Sequence, residues 1–136
     1  MSTALGELLT LEMIDRPGDG AVVYRGVISP VFTIGPKVHG GSVQMMVAAA
    51  AREALALTWD RDPAQLEGVV AIAVSSDYLA APDPAEVQLA VRVLKRGRTV
   101  SLAQVDVTQG DRVMVTNSVT LGRPDSGVAH HRAGMA

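Results

Sequence analysis

The sequence predicts an α+β domain in which one long antiparallel sheet wraps a single apolar helix. Three features of the chain lead there. Ser42 to Thr58 is the one good helical segment, and from Val43 to Ala51 its sole polar residue is Gln44. A helix that is apolar all round should be covered on most sides. Further along, Val87, Leu89, Val91 and Val93 alternate with Gln88, Ala90, Arg92 and Leu94, the period of a strand. Finally, short turn signals, Gly97 in LKRGRT and Gln109-Gly110-Asp111, separate the later apolar runs as an antiparallel meander requires.

Taken in order, residues 7–14 and 21–34 read as extended, divided by the turn signal Arg16-Pro17-Gly18-Asp19-Gly20. Pro30 breaks the second run, at a sheet edge or a bulge. Gly35 to Gly41 is a loop rich in chain-breakers, and Ser42 can cap the helix that follows, without a Glu or Gln three residues on to complete a capping box. Val69–Leu79 is a nearly continuous apolar run rich in β-branched residues, as in a central strand, and Ala80-Ala81-Pro82-Asp83-Pro84 ends it. Thr99–Thr108 and Val113–Leu121 supply the last two strands. Residues 123–136 lack periodicity and read as a mobile tail, which leaves a single domain over 1–122.

Composition narrows the function classes. With 48% hydrophobic and 19% charged residues the chain reads as globular, and no apolar run reaches the ~18–20 residues that cross a bilayer. Its first residues lack a basic segment followed by an apolar one, so a cytoplasmic protein with no membrane partner is expected. Cysteine is absent, which removes disulfides, thiolate metal ligands and a cysteine nucleophile. A net charge of −2 and 3% aromatic residues argue against a nucleic-acid surface.

Three segments in order, HGGSVQMMVAAAAREAL, VSSDYLAAP and VRVLKRGRTVSLAQVDVTQGDRVMVTNSVTLG, resemble the acyl-CoA thioesterase branch of the hotdog superfamily. The likeness is to phenylacetyl-CoA and medium-chain acyl-CoA thioesterases, and it covers roughly residues 20–122. It rests on His39-Gly40-Gly41 before the central helix, Tyr78-Leu79-Ala80-Ala81-Pro82 ending a strand, and the Gly97-Arg98-Thr99 turn. The resemblance implies a hotdog fold, hydrolysis of a small or medium acyl-CoA thioester, and no cofactor beyond the CoA of the substrate. It also implies a homodimer or homotetramer, because the medium-chain relatives fuse two hotdogs where this chain carries one.

Thioester hydrolysis puts negative charge on the carbonyl oxygen, and a helix start can receive it. Gly40, Gly41 and Ser42 are the expected oxyanion and substrate-binding residues, the glycines allowing close backbone approach. His39 is a candidate to hold the turn, contact the thioester or orient a water. Relatives of the phenylacetyl-CoA type carry an Asp about nine residues after that His, but here the position is Ala48, and the helix has no acid before Glu53. Asp77, beside Ser75 and Ser76 at a strand end, is the best remaining acid, either a base that activates water or a strand-end residue paired to a neighbouring amide or an Arg.

Gln44 needs a partner on the apolar half of the helix and could position a water, as a glutamine does in the medium-chain branch. Asn117 interrupts the Val113, Val115, Val119, Leu121 face and reads as a satisfied buried amide. Lys95, Arg96, Arg98 and Thr99 surround the Gly97 turn, where cations would meet CoA phosphates. No Gly-x-Ser-x-Gly elbow is present, and His39 has no second ligand at helical spacing, so no metal site is expected. Two other readings stand beside hydrolysis. A hotdog hydratase would want an acid near His39, which KVHGG lacks; a non-catalytic acyl-CoA or acyl-carrier binder would fit the missing acid at Ala48.

Overall fold

The computed structural model describes residues 11–18, 20–27, 33–34, 37–38, 40–83 and 85–124. Among the described residues eight strands and one long helix follow in the order β1 (Glu12–Gly18), β2 (Ala21–Val27), β3 (Thr33–Ile34), β4 (Lys37–Val38), α1 (Gly40–Leu57), β5 (Val70–Tyr78), β6 (Glu86–Lys95), β7 (Val100–Gln109) and β8 (Arg112–Gly122), with a 3-10 turn at Pro63–Leu66. Six strands form one sheet in the order β1-β2-β6-β7-β8-β5, and all its pairings are antiparallel. β3 and β4 make a separate two-residue ladder.

Helix α1 lies against one face of the sheet. Val43, Met46, Val47, Ala50, Ala51, Ala54 and Leu55 are buried, the i, i+3, i+4 stripe of a helix packed on one side. They meet Val22, Tyr24, Leu89, Val91, Val105, Val107, Val115 and Val119, one alternate set from each strand. Burying each Val, Leu or Met side chain contributes about 1.5–3 kcal/mol, so this stripe dominates the stability of the fold. One register row crosses the middle of the sheet, Val22–Val91–Val105–Asn117–Ser76, and sets the level of the features described below.

Four expectations need correction. The first strand runs through Arg16 and Pro17 instead of turning there. β1 is an edge strand that pairs with β2 alone, with two register irregularities, and a proline without an N–H is tolerated in such a place. Of the second extended run, Ala21–Val27 and Thr33–Ile34 are strands, and Pro30 lies outside the described residues. Ser42 is not the helix cap, because α1 already begins at Gly40 and Ser42 lies in its first turn. β5 is not central: it closes the sheet at its far edge, pairs only with β8, and leaves Val70, Ile72 and Tyr78 exposed. Nor is the helix covered on most sides, since Met45 and Leu57 are 43% and 40% exposed.

Arg123, the first residue of the expected tail, donates from Nε to Glu67 O at 2.8 Å and from its terminal nitrogen to Gln65 O. Residues 125–136 lie outside the described residues.

The β6–β7 turn generates a stability prediction. A Cβ on Gly97 would come 2.2 Å from Val100 O, whereas one on Gly110, at φ 62°, would meet nothing within 4 Å. Gly97→Ala must therefore displace backbone and should cost roughly 2 kcal/mol or more. Gly110→Ala should cost about 1 kcal/mol from its left-handed φ alone. Urea unfolding of both variants measures this, and equal or reversed losses would contradict the turn geometry.

Candidate active site

The first turn of α1 is Gly40, Gly41, Ser42 and Val43, and it forms the positive end of the helix dipole. One turn further along, Gln44 is half-buried between the core residues Val43 and Val47. Its amide finds a partner on the sheet. Gln44 Nε2 donates to Ser76 Oγ at 3.1 Å. The Ser76 hydroxyl donates to Asn117 Oδ1 at 2.6 Å, and Asn117 Nδ2 donates to the carbonyl of Val105 at 2.9 Å. Three side chains from α1, β5 and β8 thus form one hydrogen-bonded line that ends on the backbone of β7.

Asn117 is 2% exposed, and without these partners its amide would carry a desolvation penalty of about 1–3 kcal/mol. The sheet supplies the alignment. Ser76 pairs with Asn117 and Asn117 with Val105, so both side chains project to the helix face at one level.

Asp77 stands elsewhere. Successive strand residues point to opposite faces, so with Ser76 turned to the helix Asp77 turns away from it. Its register partner is Thr116, which pairs in turn with Asp106 and donates to the Asp106 carboxylate at 2.7 Å. Asp77 is exposed on that outer face, and the fold does not bring it to Gln44 within one chain. A hollow of about 370 Å³ on the same face is lined by Ala21, Val23, Ala90, Arg92, Gln104 and Asp106, away from the helix.

The basic turn lies at the far end of the sheet. Val91 is level with Ser76, and Lys95 is four residues beyond it, about 13 Å at ~3.3 Å per residue. Lys95, Arg98 and Thr99 are exposed there. Arg96 is committed to the fold: its Nε donates to Thr58 Oγ1 at 3.3 Å, beside the C-terminus of α1, and its carbonyl accepts from Arg61. Ser101, 3% exposed, closes the turn by accepting from Gly97 N at 3.2 Å. The Tyr78–Pro82 segment turns out of β5 on two bonds, with Leu79 N and Ala80 N both donating to Met114 O. His39 is outside the described residues, as is the side chain of Ser42.

With the geometry in place, comparison with known proteins gives it a setting. Residues 28–122 match the family model described as the acyl-CoA thioesterase N-terminal domain. The chain belongs to this family. An uncharacterized protein of Mycobacterium tuberculosis strain H37Rv is 42% identical over 127 residues, and a protein of Mycobacterium bovis matches equally. The alignment covers 92% of this chain and 42% of those relatives, so the chain spans less than half their length.

Solved structures agree on the fold. A conserved protein of Pseudomonas aeruginosa superposes with a TM-score of 0.70 at 23% identity, covering 90% of this chain and 94% of that one. The PaaI protein of the Escherichia coli phenylacetic acid degradation operon gives 0.69 at 17% identity, covering 88% of each chain. A mutant thioesterase from Pseudomonas aeruginosa gives 0.70 at 16% identity, covering 87% and 84%. The six-stranded antiparallel sheet with its single helix is a hotdog fold.

One buried group lies off the line. Tyr24 is 1% exposed, and its hydroxyl has no hydrogen-bond partner among the described residues. Burial pushes its pKa up to about 12, with Glu53 adding to the rise and Arg16 opposing it. Between its ordinary value of 10.0 and about 12 the unfolded chain gives up this proton first, so the tyrosine's contribution to stability is lost as pH rises through that window. Tyr24→Phe should leave stability at pH 7 unchanged or slightly raised, because it removes an unsatisfied donor. The variant should then gain on the wild type above pH 10; a loss of about 1 kcal/mol or more at pH 7 would reveal a partner for the hydroxyl.

Proposed function

We propose that the chain is a homodimeric acyl-CoA thioesterase that hydrolyses small or medium acyl-CoA thioesters at the N-terminal end of α1. The observation that carries this reading is the Gln44–Ser76–Asn117 line, which holds a polar side chain one turn from the positive end of an otherwise apolar helix. The family match supports the reaction class.

Water adds to the thioester carbonyl carbon while Gln44 orients it. The developing oxyanion lies at the first turn of α1, where the helix dipole stabilises negative charge. Collapse of the tetrahedral intermediate breaks the C–S bond; the thiolate takes up a proton, and acid and free CoA leave. An amide orients water without accepting its proton, so the rate enhancement comes from positioning and oxyanion stabilisation. Lys95, Arg98 and Thr99 are the proposed contacts for CoA phosphates, and no other cofactor is needed.

The dimer follows from what one chain leaves open. Among the described residues β5 has no partner on its outer edge, and it exposes Val70, Ile72 and Tyr78. Long apolar edge strands of this kind pair with another chain. A second copy paired along this edge would cover it, and sedimentation at micromolar concentration should show a dimer or tetramer. A stable monomer would remove this part of the proposal.

The line from Gln44 contains no ionisable group, and that observation favours a second reading, an acyl-CoA binder without turnover. Thiol release from short, medium, long and aromatic acyl-CoAs separates the two. Wild type should turn over at least one substrate, Gln44→Ala should lose about tenfold to 100-fold in kcat, and Asp77→Asn should stay near wild type. Retention of CoA without hydrolysis would establish the binder, and a collapse in Asp77→Asn alone would move the base to the outer face.

A further inference from the structure

We infer that Ser76 and Asn117 are positioning residues that lock the Gln44 amide with its oxygen, not its nitrogen, presented on the side away from the sheet. The inference rests on the thioesterase reading for its chemical meaning, but the hydrogen-bond logic comes from the fold alone.

The two ends of a glutamine amide are nearly the same size, and only their bonds distinguish them. Here the choice begins at a backbone carbonyl. Val105 O can only accept, so Asn117 must turn Nδ2 towards it, at 2.9 Å, and Oδ1 towards Ser76. That oxygen takes the single proton of the Ser76 hydroxyl at 2.6 Å. Ser76 Oγ then has only lone pairs to offer, and Gln44 must donate Nε2 to it, at 3.1 Å. Each link leaves one orientation for the next. Asn117 is 2% exposed, so water does not compete for its amide.

Two consequences follow. Gln44 Oε1 is an acceptor at a fixed place, suited to take an O–H from the attacking water or an N–H from the substrate, and unsuited to donate to the thioester carbonyl. Ser76 is not a nucleophile. Its proton is held by an amide oxygen rather than by a base, and attack would break the bond that orients Gln44. No acyl-enzyme forms on Ser76.

The test is a cycle of Gln44→Ala and Ser76→Ala, with Ser76→Thr as the conservative variant, read by steady-state thiol release and by NMR of the Gln44 side-chain amide. Ser76→Ala should lower kcat by about tenfold with KM within about twofold, and Ser76→Thr should recover most of it. In the Gln44→Ala background Ser76→Ala should do nothing more, because it acts through Gln44. A general structural defect would instead multiply the two losses. In wild type and Ser76→Thr the Gln44 amide should show one proton protected from exchange, and Ser76→Ala should abolish that protection.

Additive losses, an unchanged kcat in Ser76→Ala, or Gln44 amide signals insensitive to Ser76 would each overturn the inference. Mass spectrometry of enzyme quenched during turnover should show no acylated peptide containing Ser76, and finding one would overturn it too. If wild type turns over no acyl-CoA, the thioesterase reading fails by itself, and the NMR result alone upholds or overturns the positioning.

Discussion

The packing of one apolar helix face against one sheet face constrains everything else in this molecule. The stripe from Val43 to Leu55 has to be laid on the alternate residues of β2, β6, β7, β8 and β5, and doing so fixes the height and rotation of α1. Gln44 cannot then avoid the sheet. Its neighbours Val43, Met46 and Val47 are drawn into the core, and the amide between them must find a partner on the strand that it meets. Ser76 and Asn117 meet that need at one register level, so the polar line is a product of the packing as much as of the chemistry.

The same constraint explains which parts of the fold and site could be read from the chain. The meander from β6 to β8 was legible because β6 alternates and its turns carry Gly97 and Gly110. The helix was legible from its unbroken apolar half, although the sequence suggested burial all round and the fold buries one stripe. Gln44 was legible as a polar residue in need of a partner. Its partner was harder to find. Val69 to Val74 is apolar at every position, so period-two parity cannot be followed along β5, and a register irregularity between Ala71 and Ala73 shifts the phase further. Parity alone decides whether Ser76 or Asp77 faces the helix. An acid looks more reactive than a serine, but the pleat turns the acid outward.

Apolar continuity misled in a second way. A run such as Val69–Leu79 usually marks a strand buried on both sides, yet β5 is at the edge of its sheet. The contradiction disappears if the strand is central in an assembly larger than one chain. Within one chain its Val70, Ile72 and Tyr78 stay exposed. The mycobacterial relatives are more than twice as long as the stretch they share with this chain.

A hotdog fold supports many uses, so the functional weight rests on where a substrate carbonyl would sit. The most direct measurement is a crystal structure with a non-hydrolysable acyl-CoA analogue that keeps the carbonyl. The carbonyl oxygen should lie about 3 Å from a backbone amide in the first turn of α1, with Gln44 Oε1 facing the adjacent carbon across space for one water. An analogue seated in the outer-face hollow beside Arg92 and Asp106, with the start of α1 empty, would contradict the assignment of the site.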